Sequence, residues 1–169
     1  MSAVIKTATP FVIESVLFKA LTAVGAEPLK VTGEILEGIS GRNKIQLGDI
    51  LTNRNDYYGR QFFREQGDLW LLSHDSSEMG GRIVGQLAQR QYSPVRQFLS
   101  ELNFAYSAAY QQHLEMLAEQ ERIRLEEERK ARVEKMRLDA IAKAKSQGYA
   151  VKESRTAQGQ IQLVLTRTV

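Results

Sequence analysis

His74 and His113 are the only imidazoles in the 169-residue chain, and nothing in their spacing resembles a metal-ligand pair. In Ser73-His74-Asp75-Ser76, hydroxyl, imidazole and carboxylate follow one another, which are the residue types of nucleophilic catalysis. Adjacent residues in a loop rarely face one another in triad geometry. The stretch therefore reads first as a polar loop leaving a hairpin, and a small enzyme acting through His74 and Asp75 is the catalytic alternative. His113, beside Gln111 and Gln112, reads as a surface position on a helix. The carboxylates Asp49, Asp56, Glu65, Asp68 and Asp75 fall on loops and strand ends without forming an acid and base pair. No catalytic residue, metal or cofactor is assigned.

Two further patterns could bind rather than react. Gly80-Gly81-Arg82 followed by Gly85 is rich in glycine but matches neither the dinucleotide fingerprint nor the P-loop, since no Lys-Ser or Lys-Thr follows. It reads as an irregular turn, with phosphate cradling as the weaker option. Arg54, Arg60 and Arg64, interleaved with Tyr57, Tyr58, Phe62 and Phe63, have the composition of a surface that stacks on single-stranded nucleic acid. In a strand Phe62 and Phe63 point to opposite faces, so at least one belongs to a core.

The densest feature is Glu119 to Arg137, where thirteen of nineteen residues are charged and none is Gly or Pro. Such a run cannot bury a core, and it is expected to form a solvated helix. Opposite charges recur at helical spacing, as in Glu119 with Arg122, Glu126 with Lys130 and Glu128 with Arg132, which supports an isolated helix. The candidate partner-binding residues are Arg122, Arg124, Arg129, Lys130, Arg132 and Arg137. Residues 1–118 carry a net charge of −1 and residues 119–169 a net +4, giving the +3 of the whole chain. That total is too small to mark a nucleic-acid binder, while the asymmetry can steer an acidic partner.

These residues must be positioned by a fold that the hydrophobic pattern outlines. Ala3 to Thr7 suits a first strand. Thr9 and Pro10 look like the cap and first residue of a helix reaching Val24, with Ser15, Lys19 and Thr22 as its wet stripe and Gly25 as its stop. Pro28 to Ile39 reads as extended with a bend at Gly33, Ser40 to Asn43 as a turn, and Lys44 to Thr52 as a second extended run. Tyr57 to Ser73 reads as a hairpin turning at Gln66-Gly67-Asp68. A weak, glycine-interrupted helix is expected from Ser76 to about Gln91.

From Ser93 and Pro94 onward no breaker occurs before Gly148, which predicts one helix of about 50 residues, about 80 Å at 1.5 Å per residue. Its first part, Val95 to Leu117, carries Phe98, Leu99, Leu102, Tyr106, Tyr110 and Leu114 as a docking stripe. Met136 to Ala144 repeats the device through Leu138 and Ile141. The middle holds no sustained heptad seam. Either the helix is a straight rod or it bends within residues 118–134 and returns to the sheet. Tyr149 to Glu153 and Gln160 to Thr166 form a final hairpin, which is marginal alone and needs another sheet, its own or a partner's.

The expected architecture is thus α+β, one domain over residues 1–169 with an antiparallel sheet, helices packed on one face and residues 118–137 as a charged helical projection or insertion. The chain has no Cys, which fits a reducing compartment. The first residues lack the pattern of a secretory signal, and no window approaches the roughly 18 apolar residues of a membrane span. A cytoplasmic protein without a membrane partner is expected.

Several stretches resemble a small family found in cyanobacteria, algal plastids, where it is a hypothetical chloroplast reading frame, and assorted bacteria. They are Ile5-Lys6-Thr7 ahead of the helix ending in Ala20-Leu21 and Gly25; Phe98-Leu99 with Leu102 and Phe104-Ala105-Tyr106; and Ala144 to Tyr149 with Gly159 to Leu165. The resemblance covers both ends better than the middle. It departs at residues 115–140, where relatives run almost directly from the Tyr-containing helix into Gln-Gly-aromatic, so the charged segment reads as an insertion. The family has no established activity to carry over. Some bacterial members are encoded beside ATPases of the AAA+ type, which implies an accessory or adaptor role. The leading expectation is a non-enzymatic interaction or assembly module whose partner is another protein or a second copy of itself. A nucleic-acid binder is the first alternative and the His74 enzyme the second.

Overall fold

The structure, a computed structural model, describes residues 3–38, 44–80 and 92–167. It is α+β. Five strands, β1 (Val4–Ala8), β2 (Leu29–Lys30), β3 (Ile50–Asp56), β4 (Gly59–Gln66) and β5 (Leu69–Asp75), form an antiparallel sheet in the order β1-β5-β4-β3-β2. The helices are α1 (Glu14–Ala23), α2 (Gly33–Gly38) and α3 (Val95–Ser146), and β6 (Tyr149–Arg155) pairs with β7 (Ile161–Arg167) in a second, two-stranded sheet. The chain divides into two compact units, Met1–Glu115 and Met116–Val169.

In the first unit, strand alternation sorts the sheet into two faces. Ile50, Phe63, Trp70 and Leu72 meet Val16, Leu17, Ala20 and Leu21 of α1 and Val95, Phe98, Leu102 and Tyr106 of α3 in the main core. The spacings of three and four along both helices put those side chains on one stripe. On the opposite face Leu51 and Phe62 are covered by Val31, Leu36 and Ile45 in a small second cluster. Ser15, Lys19 and Thr22 are exposed as the stripe on α1 predicts, and Gly25 ends that helix at φ +70°.

The N-terminus of α1 differs from expectation. Thr9 does not cap it: its hydroxyl donates to the Trp70 carbonyl, and Trp70 N–H donates to Phe11 O at 3.0 Å, so residues 9–11 are tied to β5. The amides of Val12 and Ile13 instead donate to the Tyr106 hydroxyl at 3.2 and 3.0 Å. A side chain of α3 thereby holds the main chain that leads into α1, whose N-cap Ile13 offers no side-chain acceptor, and this tertiary contact is not visible in sequence spacing.

The stretch expected to be extended from Pro28 is a two-residue strand followed by α2, which begins after Thr32, whose carbonyl accepts from Leu36 N–H at 2.9 Å. Residues 44–49 are not a strand. The Asp49 carboxylate accepts from Gln46 N–H at 2.7 Å and Gly48 takes φ +86°, closing a turn that delivers the chain into β3. The hairpin β4–β5 turns at Gly67-Asp68 as its sequence predicts. The turn expected at Ser40 to Asn43, Gly81-Arg82 and Gly85, and the weak helix beyond Gly80 lie outside the described residues; Ser76–Glu78 is a single 3-10 turn.

Helix α3 runs unbroken to Ser146, and Gly148 at φ +82° ends it. In the second unit the hairpin pairs only with itself, from Tyr149↔Arg167 to Arg155↔Ile161, with Gly159 at φ +79° in the turn. Among the described residues no helix is long and apolar enough to cross a membrane.

Candidate functional site

Between Leu51 and Asn55 the β3–β4 register slips, so that Thr52, Asn53 and Arg54 stand opposite Gln61 alone. Arg54 lies two residues beyond Thr52 and four beyond Ile50, on the core-facing side of β3. It is 4% exposed, Nε donates to Gln61 Oε1 at 3.0 Å, Nη2 donates to the Ser93 carbonyl, and the guanidinium lies 4.4 Å from the Phe98 ring centre and 5.4 Å from that of Tyr92. Gln61 Nε2 passes on to Asp56 Oδ2 at 3.4 Å, which also accepts from Asp75 N–H at 2.8 Å. Asp56 Oδ1 takes Tyr58 N–H at 2.9 Å. Desolvation lowers the Arg54 pKa against the opposing pull of Glu78, yet an arginine in this setting remains a cation at neutral pH.

His74 sits at the other end of the same network. It lies on β5, two residues beyond Leu72 and four beyond Trp70, and is 1% exposed, not in a loop leaving the hairpin. Nδ1 is 2.7 Å from the Asp75 carbonyl oxygen, and Nε2 is 2.8 Å from Thr7 Oγ1. A carbonyl only accepts, so Nδ1 carries the proton and Nε2 accepts from the Thr7 hydroxyl. Burial pushes the imidazole below its usual 6.5 and keeps it neutral. Both ring nitrogens are engaged, and Ser73, the neighbouring strand residue, points to the opposite face. Ser73, His74 and Asp75 thus have no triad geometry. Asp75 instead caps the 3-10 turn, its Oδ1 accepting from Ser77 N–H at 2.9 Å.

A cleft of about 170 Å³ opens beside Arg54, between Gly25, Asn53, Tyr92, Phe98 and Glu101. Its lining includes a cation, Arg54, and a carboxylate, Glu101. Among the described residues no group of three His, Asp or Glu side chains is placed to hold a metal ion.

The three arginines proposed for nucleic acid do not share a surface. Arg54 is inside. Arg64 forms a two-pronged pair with Asp49, Nε to Oδ1 at 2.8 Å and Nη2 to Oδ2 at 2.7 Å, and donates to Lys44 O at 2.6 Å while lying over Phe62. That carboxylate raises the Arg64 pKa. Arg60, Tyr57 and Tyr58 remain at the β3–β4 turn, the two rings edge to face at 5.3 Å. Phe62 and Phe63 point to opposite faces, and both are buried.

The charged segment of α3 is solvated along its length: from Glu119 to Arg137 every residue is exposed except Glu126 and Arg137, which are half-buried. Arg122 pairs with Glu119 at 2.7 Å, Arg124 bridges Glu121 and Glu128 at 2.5 and 2.6 Å, and Glu126 holds Arg129 at 2.9 Å and Lys130 at 3.8 Å. Glu128 turns to Arg124 rather than to Arg132, which has no ion pair among the described residues. Arg137 differs from the rest, reaching Glu134 at 3.2 Å and Glu153 of β6 at 3.3 Å, so it joins the hairpin to α3. His113 is half-buried on the same helix.

Sequence reading missed Gln61, Asp56, Ser93 and Thr7 as members of the Arg54–His74 network. One signal was available for His74: with Trp70 and Leu72 it continues a period of two on the core-facing side of β5. Arg54 carried the same signal, continuing a period of two from Ile50 through Thr52 on the core-facing side of β3. Set against models of known protein families, curated proteins and solved structures, the chain matches none.

Proposed function

We propose that the chain is a non-enzymatic protein-interaction module that engages another protein through the charged face of α3, chiefly Glu119 to Arg137. One observation carries this reading: over that stretch all residues but Glu126 and Arg137 are exposed, and the ion pairs, apart from that of Arg137 with Glu153, run along the helix itself. Packing does not account for so long a charged helix, since no core depends on it. Exposed helical pairs contribute little to stability, so a partner that re-pairs these charges gives up little by displacing them. The charges come in alternating blocks, the largest being Glu126, Glu127 and Glu128 followed by Arg129, Lys130 and Arg132. A partner presenting the reverse order of charge fits this face. The accessory role beside an ATPase implied by the resemblance at the chain's two ends agrees with such a surface. Both ring nitrogens of His74 are engaged inside the fold, and Arg54 is 4% exposed and donates to Gln61 and Ser93, which favours an interaction surface elsewhere.

The test compares native protein with a variant in which Arg122, Arg124, Arg129, Lys130 and Arg132 are each replaced by Gln, recovering bound proteins at low salt. Recovery of the main partner is expected to fall at least tenfold in the variant, and in the native protein as salt rises, with secondary structure retained. Equal recovery from both proteins overturns the reading.

A further inference from the structure

The second unit is thinly packed for a piece of protein with its own sheet. Ala144 is its one fully buried hydrophobic residue among the described residues, while Ile161, Val164 and Leu165 of β7 are 42%, 42% and 51% exposed. The sheet holds only β6 and β7, so each strand keeps one edge unpaired. A two-stranded sheet of this kind is marginal in water.

The two edges are not alike. β6 carries Lys152, Glu153 and Arg155, charges of the sort that blunt an edge against pairing. β7, Ile161-Gln162-Leu163-Val164-Leu165-Thr166-Arg167, carries none until its last residue. It is a seven-residue, largely apolar strand with no protecting charge, bulge or proline. Register adds a second argument. Thr156 N–H donates to Gln160 O at 2.9 Å at the hairpin's closing pair. Antiparallel alternation then turns the main-chain groups of Ile161, Leu163, Leu165 and Arg167 toward the open edge.

We propose that β7 pairs antiparallel with β7 of a second copy of this chain, about a two-fold axis at Val164, to give a four-stranded sheet in the order β6-β7-β7-β6. In that register the outward main-chain groups of Leu163 meet those of Leu165, Ile161 meets Arg167, and Val164 meets Val164. The pairing is isologous, as a two-fold interface requires. Charge favours this edge over its alternative. Self-pairing of β6 about its centre opposes Lys152 to Lys152, whereas β7 opposes no like charges. This inference stands on the hairpin and is independent of the partner proposed for the charged face of α3.

The chain has no cysteine, which makes cross-linking selective. Val164 opposite Val164 is a non-hydrogen-bonded pair, where the close approach of the main chains suits a disulfide. Full-length Val164→Cys should oxidise to a covalent dimer. Gln162→Cys and Thr166→Cys should cross-link efficiently only when the two variants are mixed, since residue 162 faces residue 166 across the axis. Light scattering of the unaltered chain at about 100 μM should give twice its 19.1 kDa mass. Val164→Glu, which faces Lys152 within its own hairpin, should weaken dimerisation at least tenfold, and Val164→Thr should retain it. A single-chain mass for the unaltered protein overturns the proposal. So does a dimer that neither forms the Val164→Cys cross-link nor responds to Val164→Glu, since its contact then lies elsewhere, the charged face of α3 included.

Discussion

His74 and Arg54 are polar groups whose surroundings, more than their chemistry, decide what they do. Because His74 titrates below 6.5 when folded and near 6.5 when unfolded, the unfolded chain binds more protons once pH falls under that value. The contribution of the neutral ring to stability is therefore complete above about pH 7 and declines as the medium is acidified through 6.5 toward the lower folded value. Urea titrations between pH 7.5 and 5 should show this fall, and His74→Gln should flatten the part of the slope that belongs to the ring. Arg54→Met presents a different loss. It strips Gln61 Oε1 and the Ser93 carbonyl of a charged donor inside the fold, and should cost about 2–4 kcal/mol in denaturant unfolding. Arg54→Lys should recover only part of that, since an ammonium cannot reproduce the fork or lie flat on Phe98.

At the scale of elements, α3 combines two stabilising mechanisms in one helix. Up to Tyr110 its buried stripe of Val95, Phe98, Leu102 and Tyr106 holds it by burial. Beyond Glu119 the helix rests on pairs of opposite charge, which salt screens. A peptide of residues 116–146 should thus lose ellipticity at 222 nm between 10 mM and 1 M NaCl, whereas one in which the paired Glu and Arg are replaced by Gln and Ala should not respond. This helix was also the most readable part of the chain, because Ser93-Pro94, the absence of breakers and Gly148 mark its bounds in residue types alone. The β4–β5 and β6–β7 hairpins were equally plain, since Gly67 and Gly159 sit where a positive φ is needed. What could not be read depended on contacts distant in sequence. The Tyr106 hydroxyl holds the segment leading into α1, the Asp49–Arg64 pair accompanies a turn in place of a strand before β3, and three residues of β3 stand opposite Gln61 alone. Alternating apolar residues such as Leu29 and Val31 suggested a longer strand than β2, since a period of two over so few residues does not distinguish a strand from a strand followed by a helical turn.

For the molecule as a whole, burial is unevenly shared. The first unit has a contiguous core under its five-stranded sheet, while the second, among the described residues, buries only Ala144 of its hydrophobic side chains. Native-state hydrogen exchange should separate the two. Amides of β4 and β5 should be the slowest, opening only with global unfolding, and those of β6 should exchange through local opening. If two copies join along β7, the amides of Ile161, Leu163 and Leu165 should slow as protein concentration rises, while those in β4 stay unchanged.

The chain's one tryptophan gives that difference an optical form. Trp70 is 1% exposed among Phe63, Leu72 and the residues of α1, and its indole N–H meets no acceptor among the described residues. Its emission should be blue-shifted and slow to quench with iodide, and it should report the melting of the larger sheet alone. Tyrosine emission cannot serve the smaller sheet in the same way, because five of the six tyrosines lie in the first unit and only Tyr149 in the second. A hairpin that frays while the indole emission stays blue would therefore be silent to the eye of the fluorimeter, and collapse of the main body alone would change its colour.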